Sequence, residues 1–95
     1  MIKVKNMVST RTGVPVANQF IIENNGVETF QSYETTIAIR QANGVVVLDD
    51  GAFDYSRTTS KYLKEFLYGD DRKEVERSIA SNDLKYVFSD LNPEA

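Results

Sequence analysis

Ile2, Val4, Asn6 and Val8 alternate with Lys3, Lys5 and Met7, a period of two that predicts a strand with one buried face. Ser9-Thr10-Arg11-Thr12-Gly13-Val14-Pro15 follows with the residues of a chain reversal, glycine for unusual φ and proline fixing its own. Val16 to Glu23 and Val27 to Tyr33 are rich in apolar and β-branched positions on either side of Asn24-Asn25-Gly26, so they predict an antiparallel hairpin. A second hairpin is expected between Thr35–Gln41 and Val45–Leu48, with Asn43-Gly44 suited to a type I′ turn. Val45-Val46-Val47-Leu48 is apolar on both faces, which places it centrally in a sheet or under a helix, and Asp49-Asp50-Gly51 ends it.

Beyond Ser56 the period lengthens. Thr59, Tyr62, Leu63, Phe66 and Leu67 recur at helical spacing with Lys61, Lys64 and Glu65 opposite, predicting an amphipathic helix over residues 57–68 with Gly69 as its C′ residue. Asp71-Arg72-Lys73-Glu74 has capping-box spacing and opens a second, shorter helix with Val75 and Ile79 facing inward, ended by Asn82-Asp83. Leu84, Tyr86 and Phe88 alternate with Lys85 and Val87 as a final strand before the polar tail Asn92-Pro93-Glu94-Ala95. The expected architecture is a single α+β domain over residues 1–95: an antiparallel sheet of four to six strands with two helices packed on one face. Strand order is not readable from the pattern.

Composition narrows the chemistry more than the fold. At 95 residues, 41% hydrophobic and 26% charged, the chain is a one-core globular domain. It has no cysteine and no histidine, which removes disulfides, the usual transition-metal ligands and the commonest general base near neutral pH. The expectation is a protein without cofactor or metal, and not an enzyme. No run reaches the roughly 18–20 apolar residues of a membrane-spanning helix, and Met1-Ile2-Lys3-Val4-Lys5 lacks a signal-peptide layout. A soluble, cytoplasmic protein with no membrane partner is therefore expected. The net charge of −3 is uneven: residues up to Leu48 carry +1 (four basic, three acidic) and the remainder −4 (seven basic, eleven acidic). That acidity disfavours general phosphate-backbone binding.

The densest polar stretch runs Asp54-Tyr55-Ser56-Arg57-Thr58-Thr59-Ser60-Lys61-Tyr62. Hydroxyls and two cations gather at the start of the predicted helix, where free N–H groups and a partial positive charge favour an anion. The candidate binding residues are Asp54, Tyr55, Ser56, Arg57, Thr58, Lys61 and Tyr62, against the plainer alternative that Asp54 or Ser56 simply caps the helix. Asn18, Gln19, Gln31 and Ser32 are amides and hydroxyls within apolar strands, to be satisfied by an internal network or to line a recognition surface. Asp49, Asp50 and Asp54 do not have EF-hand spacing and read as a solvated turn. Among the aromatics, Tyr55 and Tyr68 are the two least accounted for by periodicity, and exposed tyrosines suit protein interfaces.

Val16-Ala17-Asn18-Gln19-Phe20-Ile21-Ile22, Phe30-Gln31-Ser32-Tyr33 with Ile37-Ala38, Val47-Leu48-Asp49, and Asp54-Tyr55-Ser56 with Thr58-Thr59 and Lys61-Tyr62 together resemble a family of small uncharacterised bacteriophage proteins over about residues 7 to 92. Gly51-Ala52-Phe53 departs from the bulkier aromatic segment expected there, as does the acidic start of the second helix. The resemblance implies a phage or prophage origin and assigns no activity. With the small size and the missing His and Cys, it yields the expectation of a non-enzymatic phage-type binding protein, an inhibitor of a host defence complex of CRISPR or restriction type. Its partner would be a host protein or a protein–nucleic acid complex. The alternatives are a nucleic-acid-binding accessory protein using Arg57, Lys61 and Lys64 with Tyr55 and Tyr62, and a small-ligand-binding or sequestering protein.

Overall fold

Asn25 and Gly26 adopt φ of 52° and 82°, the two positive values that a type I′ turn requires. They join two strands of the hairpin expected from the sequence. The computed structural model describes residues 2–9 and 11–93; Met1, Thr10 of the first turn and Glu94 and Ala95 of the tail lie outside the described residues. The elements run β1 (Ile2–Val8), β2 (Pro15–Asn24), β3 (Val27–Ser32), β4 (Thr35–Arg40), β5 (Val46–Asp49), α1 (Arg57–Phe66), α2 (Arg72–Ala80) and β6 (Tyr86–Ser89). The sheet order is β1-β2-β3-β4-β5-β6. The first five strands form an antiparallel meander and β6 lies parallel to β5, because the two helices carry the chain back across the sheet. The fold is α+β, as expected, with one parallel pair.

The core lies between the sheet and the helices. Ile21, Phe30, Ile37, Ala38, Val46, Leu48 and Tyr86 meet Tyr62, Leu63, Phe66, Leu67 and Val75, all buried. A register shift opposite Phe30 and Gln31 leaves Ile37 as an extra residue in β4. The bulge buries both Ile37 and Ala38 completely.

Several local expectations are corrected. The alternation in β1 is real, but its apolar side is exposed: Ile2, Val4 and Val8 are 64%, 61% and 48% accessible, and only Met7 packs on the core. The turn at Asn43-Gly44 is not type I′, since only Gly44 has positive φ there and its N–H donates to Gln41 O, closing a longer loop. Helix α1 ends at Phe66, and Tyr68 rather than Gly69 takes the left-handed C′ position, with φ 57°. Tyr68 N–H donates to Glu65 O and Gly69 N–H to Lys64 O, the paired bonds of a Schellman motif. Helix α2 has its capping box, with Glu74 N–H donating to Asp71 Oδ1 and Asp71 N–H to Glu74 Oε1. Val75 is buried there, but Ile79 is turned outward and Leu84 is exposed.

No helix of the described residues is long and apolar enough to cross a membrane.

Candidate functional site

Ser56 sits in extended backbone just before α1, and its Oγ accepts from Thr59 N–H at 3.0 Å, the bond that caps the helix. The same hydroxyl donates to Thr59 Oγ1 at 3.0 Å. Thr59 in turn meets Ser32 Oγ at 3.0 Å, and Gln19 Nε2 donates to Ser32 Oγ at 3.0 Å. The polar residues that interrupt β2 and β3 are thus joined to the cap of α1 in one chain of hydrogen bonds. Gln19, Ser32 and Thr59 are each at most 4% exposed, so the chain specifies how α1 seats on the sheet. Gln19 Oε1 is the one buried side-chain acceptor without a partner among the described residues. Asn18 and Gln31 do not join this network: Asn18 takes positive φ with its carbonyl accepting from Tyr33 N–H, and Gln31 Nε2 donates to Tyr33 O.

A second knot ties the segment to the end of β5. Tyr55 O–H donates to Asp49 Oδ2 at 2.6 Å, and Asp49 also accepts from Gly51 N–H, Leu91 N–H and Asn92 Nδ2. Burial alone would raise the Asp49 carboxyl, but the bonds from Tyr55, Leu91, Gly51 and Asn92 outweigh it and hold the group below the ordinary aspartate range. Burial and the Asp49 carboxylate push the Tyr55 phenol up to about 12. That hydroxyl is a fixed donor at neutral pH and is poorly suited to act as a base. Asn92 completes the knot by bonding both the N–H and the C=O of Thr36, standing in for a strand residue beside β4.

The outward side of α1 has a different character. Arg57, Lys61 and Lys64, four and three residues apart, share one exposed helical face. None of the ion pairs among the described residues involves them. Three neighbouring acids are engaged elsewhere, since Asp54 pairs with Arg72, Asp70 receives Lys85 Nζ and Tyr86 O–H, and Asp71 caps α2, while Glu65 borders Lys61 and Lys64 on the same side without an ion pair among the described residues. Between this face and the start of α2 runs a groove of about 400 Å³ that also takes in Phe53, Ser60 and Arg72. It continues past Lys64 toward Tyr68, which is 82% exposed. Arg40 lies under that ring, its guanidinium 4.5 Å from the Tyr68 centroid and 4.3 Å from that of Phe66, with further bonds to Glu28 Oε1 and Phe66 O.

The candidate residues therefore fall into three groups. Arg57, Thr58 and Lys61 are on the surface; Asp54, Tyr55 and Ser56 hold the segment in place through Arg72, Asp49 and Thr59. Tyr62 is 4% exposed and belongs to the core, because helical spacing points it at the sheet, so it is corrected from a contact residue to a packing residue. The spacing of Lys64 from Lys61 and the unexplained Tyr68 were the sequence signals for the rest of this face. Asp49, Asp50 and Asp54 do not converge, and among the described residues no group of three or more potential ligands could hold a metal ion.

A family model, described as a family of unknown function (DUF8033), matches residues 2–82. No curated protein and no solved structure matches the chain.

Proposed function

The chain belongs to the DUF8033 family, whose function is unknown, and we propose that it is a non-enzymatic binding protein that presents the outer face of α1 to an acidic surface on its partner. One observation carries this reading. Arg57, Lys61 and Lys64 form a line of unpaired cations among the described residues of a net-acidic chain, and the line ends at an 82% exposed tyrosine. Tyr68 holds a left-handed φ that costs a non-glycine residue about 1–2 kcal/mol. Glycine would fill that position more cheaply, and the side chain gains little burial in return. An exposed aromatic beside cations is the composition of an interface anchor.

The more specific reading is a phage-type inhibitor of a host defence complex of CRISPR or restriction type, acting in the host cytoplasm. It is supported by the small size, the absence of cysteine and the sequence resemblance described above. A nucleic-acid backbone would meet the same cations, and Tyr68 offers a stacking platform for a nucleic-acid-binding accessory protein. The hydroxyl-lined cleft at Ser32, Tyr55 and Thr59 encloses about 230 Å³, below the roughly 300–1,000 Å³ of small-molecule sites. This volume argues against small-molecule sequestration in that cleft.

The experiment is a pull-down from host lysate, followed by titration of the recovered partner against the wild type and the Arg57→Ala/Lys61→Ala double variant. Binding is expected to fall, most steeply at low salt, because exposed charges are screened. Unchanged affinity at low ionic strength would reduce the segment to a helix cap.

A further inference from the structure

Among the described residues no helix covers the far side of the sheet, yet one row of apolar and β-branched residues crosses its full width. The pairing registers place Val4 beside Ile22, Ile22 beside Thr29, Thr29 beside Ile39, Ile39 beside Val47 and Val47 beside Val87. Since paired residues project on the same face, these six make one row from edge to edge. Val4 and Val87 are 61% and 41% exposed, and the four between them are partly so. Charge is sorted to the other side. Lys3, Glu23, Glu28 and Arg40 occupy a single register row, and Lys5 pairs with the core residue Ile21, so all five lie on the helix face. Asp49, at the end of β5, is bound internally. The neighbouring open-face row, Asn6-Phe20-Gln31-Thr36, is also uncharged.

We propose that this open face is a dimer interface, occupied by the same face of a second copy of the chain. This inference is independent of the binding face on α1. A symmetric interface must be complementary to itself, and the row meets that condition. A two-fold axis along the strands between β3 and β4 brings Val4 against Val87, Ile22 against Val47 and Thr29 against Ile39, all apolar or β-branched contacts. No like charges oppose one another, although each copy carries a net charge of −3. Six strands about 4.8 Å apart, with a rise of about 3.3 Å per residue, give a face on the order of 500 Å² in projection. This falls within the roughly 300–600 Å² of the largest, often functional, patch on a soluble monomer and below the roughly 800 Å² per partner of a standard stable complex, so the dimer expected is a weak one. Two sheets packed this way would lie about 10 Å apart, like the layers of a sandwich.

Sedimentation equilibrium or light scattering on the full chain tests the proposal. A mass near twice 10.7 kDa is expected at about 10–100 µM, the range a micromolar interface would fill. Ile39→Lys and, separately, Val4→Glu should return the chain to monomer with an unchanged far-UV spectrum, each laying an unpaired charge against an uncharged residue of the other copy. Val4 is an exposed edge-strand position, so its variant decides the matter if Ile39→Lys does not fold. Arg57→Ala/Lys61→Ala should remain dimeric, which separates this result from failure of the α1 reading. A wild type that is monomeric at about 100 µM would overturn the proposal, as would folded Val4→Glu and Ile39→Lys variants that still dimerise.

Discussion

Ile21 and Ile22 are adjacent in β2, and Ile37 and Ile39 lie two apart in β4, yet each pair is divided between opposite faces of one sheet. Ile21 and Ile37 are buried under the helices, whereas Ile22 and Ile39 belong to the open row. Each face carries an apolar row, and the two rows differ in what covers them. On the covered face, Phe30, Ile37 and Leu48 are fully enclosed and the polar residues Gln19, Ser32 and Thr59 bond to one another. On the open face the residues gain from burial only when something is laid on them. Hydrophobic patterning therefore does not by itself identify the core: one face specifies the monomer and the other is available for association.

The largest expected contrast is between truncations on the two faces. Leu63→Ala removes a fully buried side chain and should cost about 2–5 kcal/mol in chemical denaturation. Ile39→Ala, measured at a concentration low enough to keep the chain monomeric, should cost about 1 kcal/mol or less, since less surface leaves water. Equal losses would erase the distinction between the faces.

An intermediate effect is expected at the knot that holds the sheet to the start of α1. Asp49→Asn leaves donors at Tyr55 and Leu91 with a weaker acceptor and should cost on the order of 2 kcal/mol at neutral pH. Asp49 is held below its ordinary pKa in the folded protein, so its contribution is present above the unfolded value near 3.9 and is lost as pH falls through the lower folded value. Denaturation midpoints should fall below about pH 4 in the wild type, and that part of the fall should be missing in Asp49→Asn. An identical acid limb in both would remove Asp49 as its source.

The smallest effect on stability is expected from Arg57→Ala/Lys61→Ala, within about 0.5 kcal/mol, because both side chains lie on the exposed face of α1. A larger loss, read from thermal melting, would mean that the line of cations serves the fold.

Much of this architecture was legible in the sequence because it rests on local chemistry. Asn25-Gly26 announces a tight turn, Asp71 and Glu74 announce a capping box, and the spacing of Tyr62, Leu63, Phe66 and Leu67 announces the buried stripe of α1. What was not legible depends on long-range packing. The alternation of Ile2, Val4 and Val8 marks an apolar side without telling which side the helices cover, so an exposed row reads like a buried one. The bond between Ser32 and Thr59 spans 27 residues and leaves no trace in spacing, although Ser32 stood out as a polar position in an apolar strand and Thr59 fell on the inward stripe of the helix. Asp49 looked like a turn carboxylate, and only the return of Leu91 and Asn92 beside β4 and β5 makes it a hub. Tyr62 was drawn into the candidate site by its neighbours Arg57 and Lys61, but the rotation of about 100° per helical residue turns it away from them toward the sheet.

The division of labour between the faces is tested most directly by the isoleucine methyl signals of the wild-type chain in carbon–proton correlation spectra followed through dilution. The account predicts concentration-dependent shifts for Ile22 and Ile39, with Ile21 and Ile37 unchanged because the helices already enclose them. Invariant Ile22 and Ile39 signals, or shifts that move all four residues alike, would contradict it.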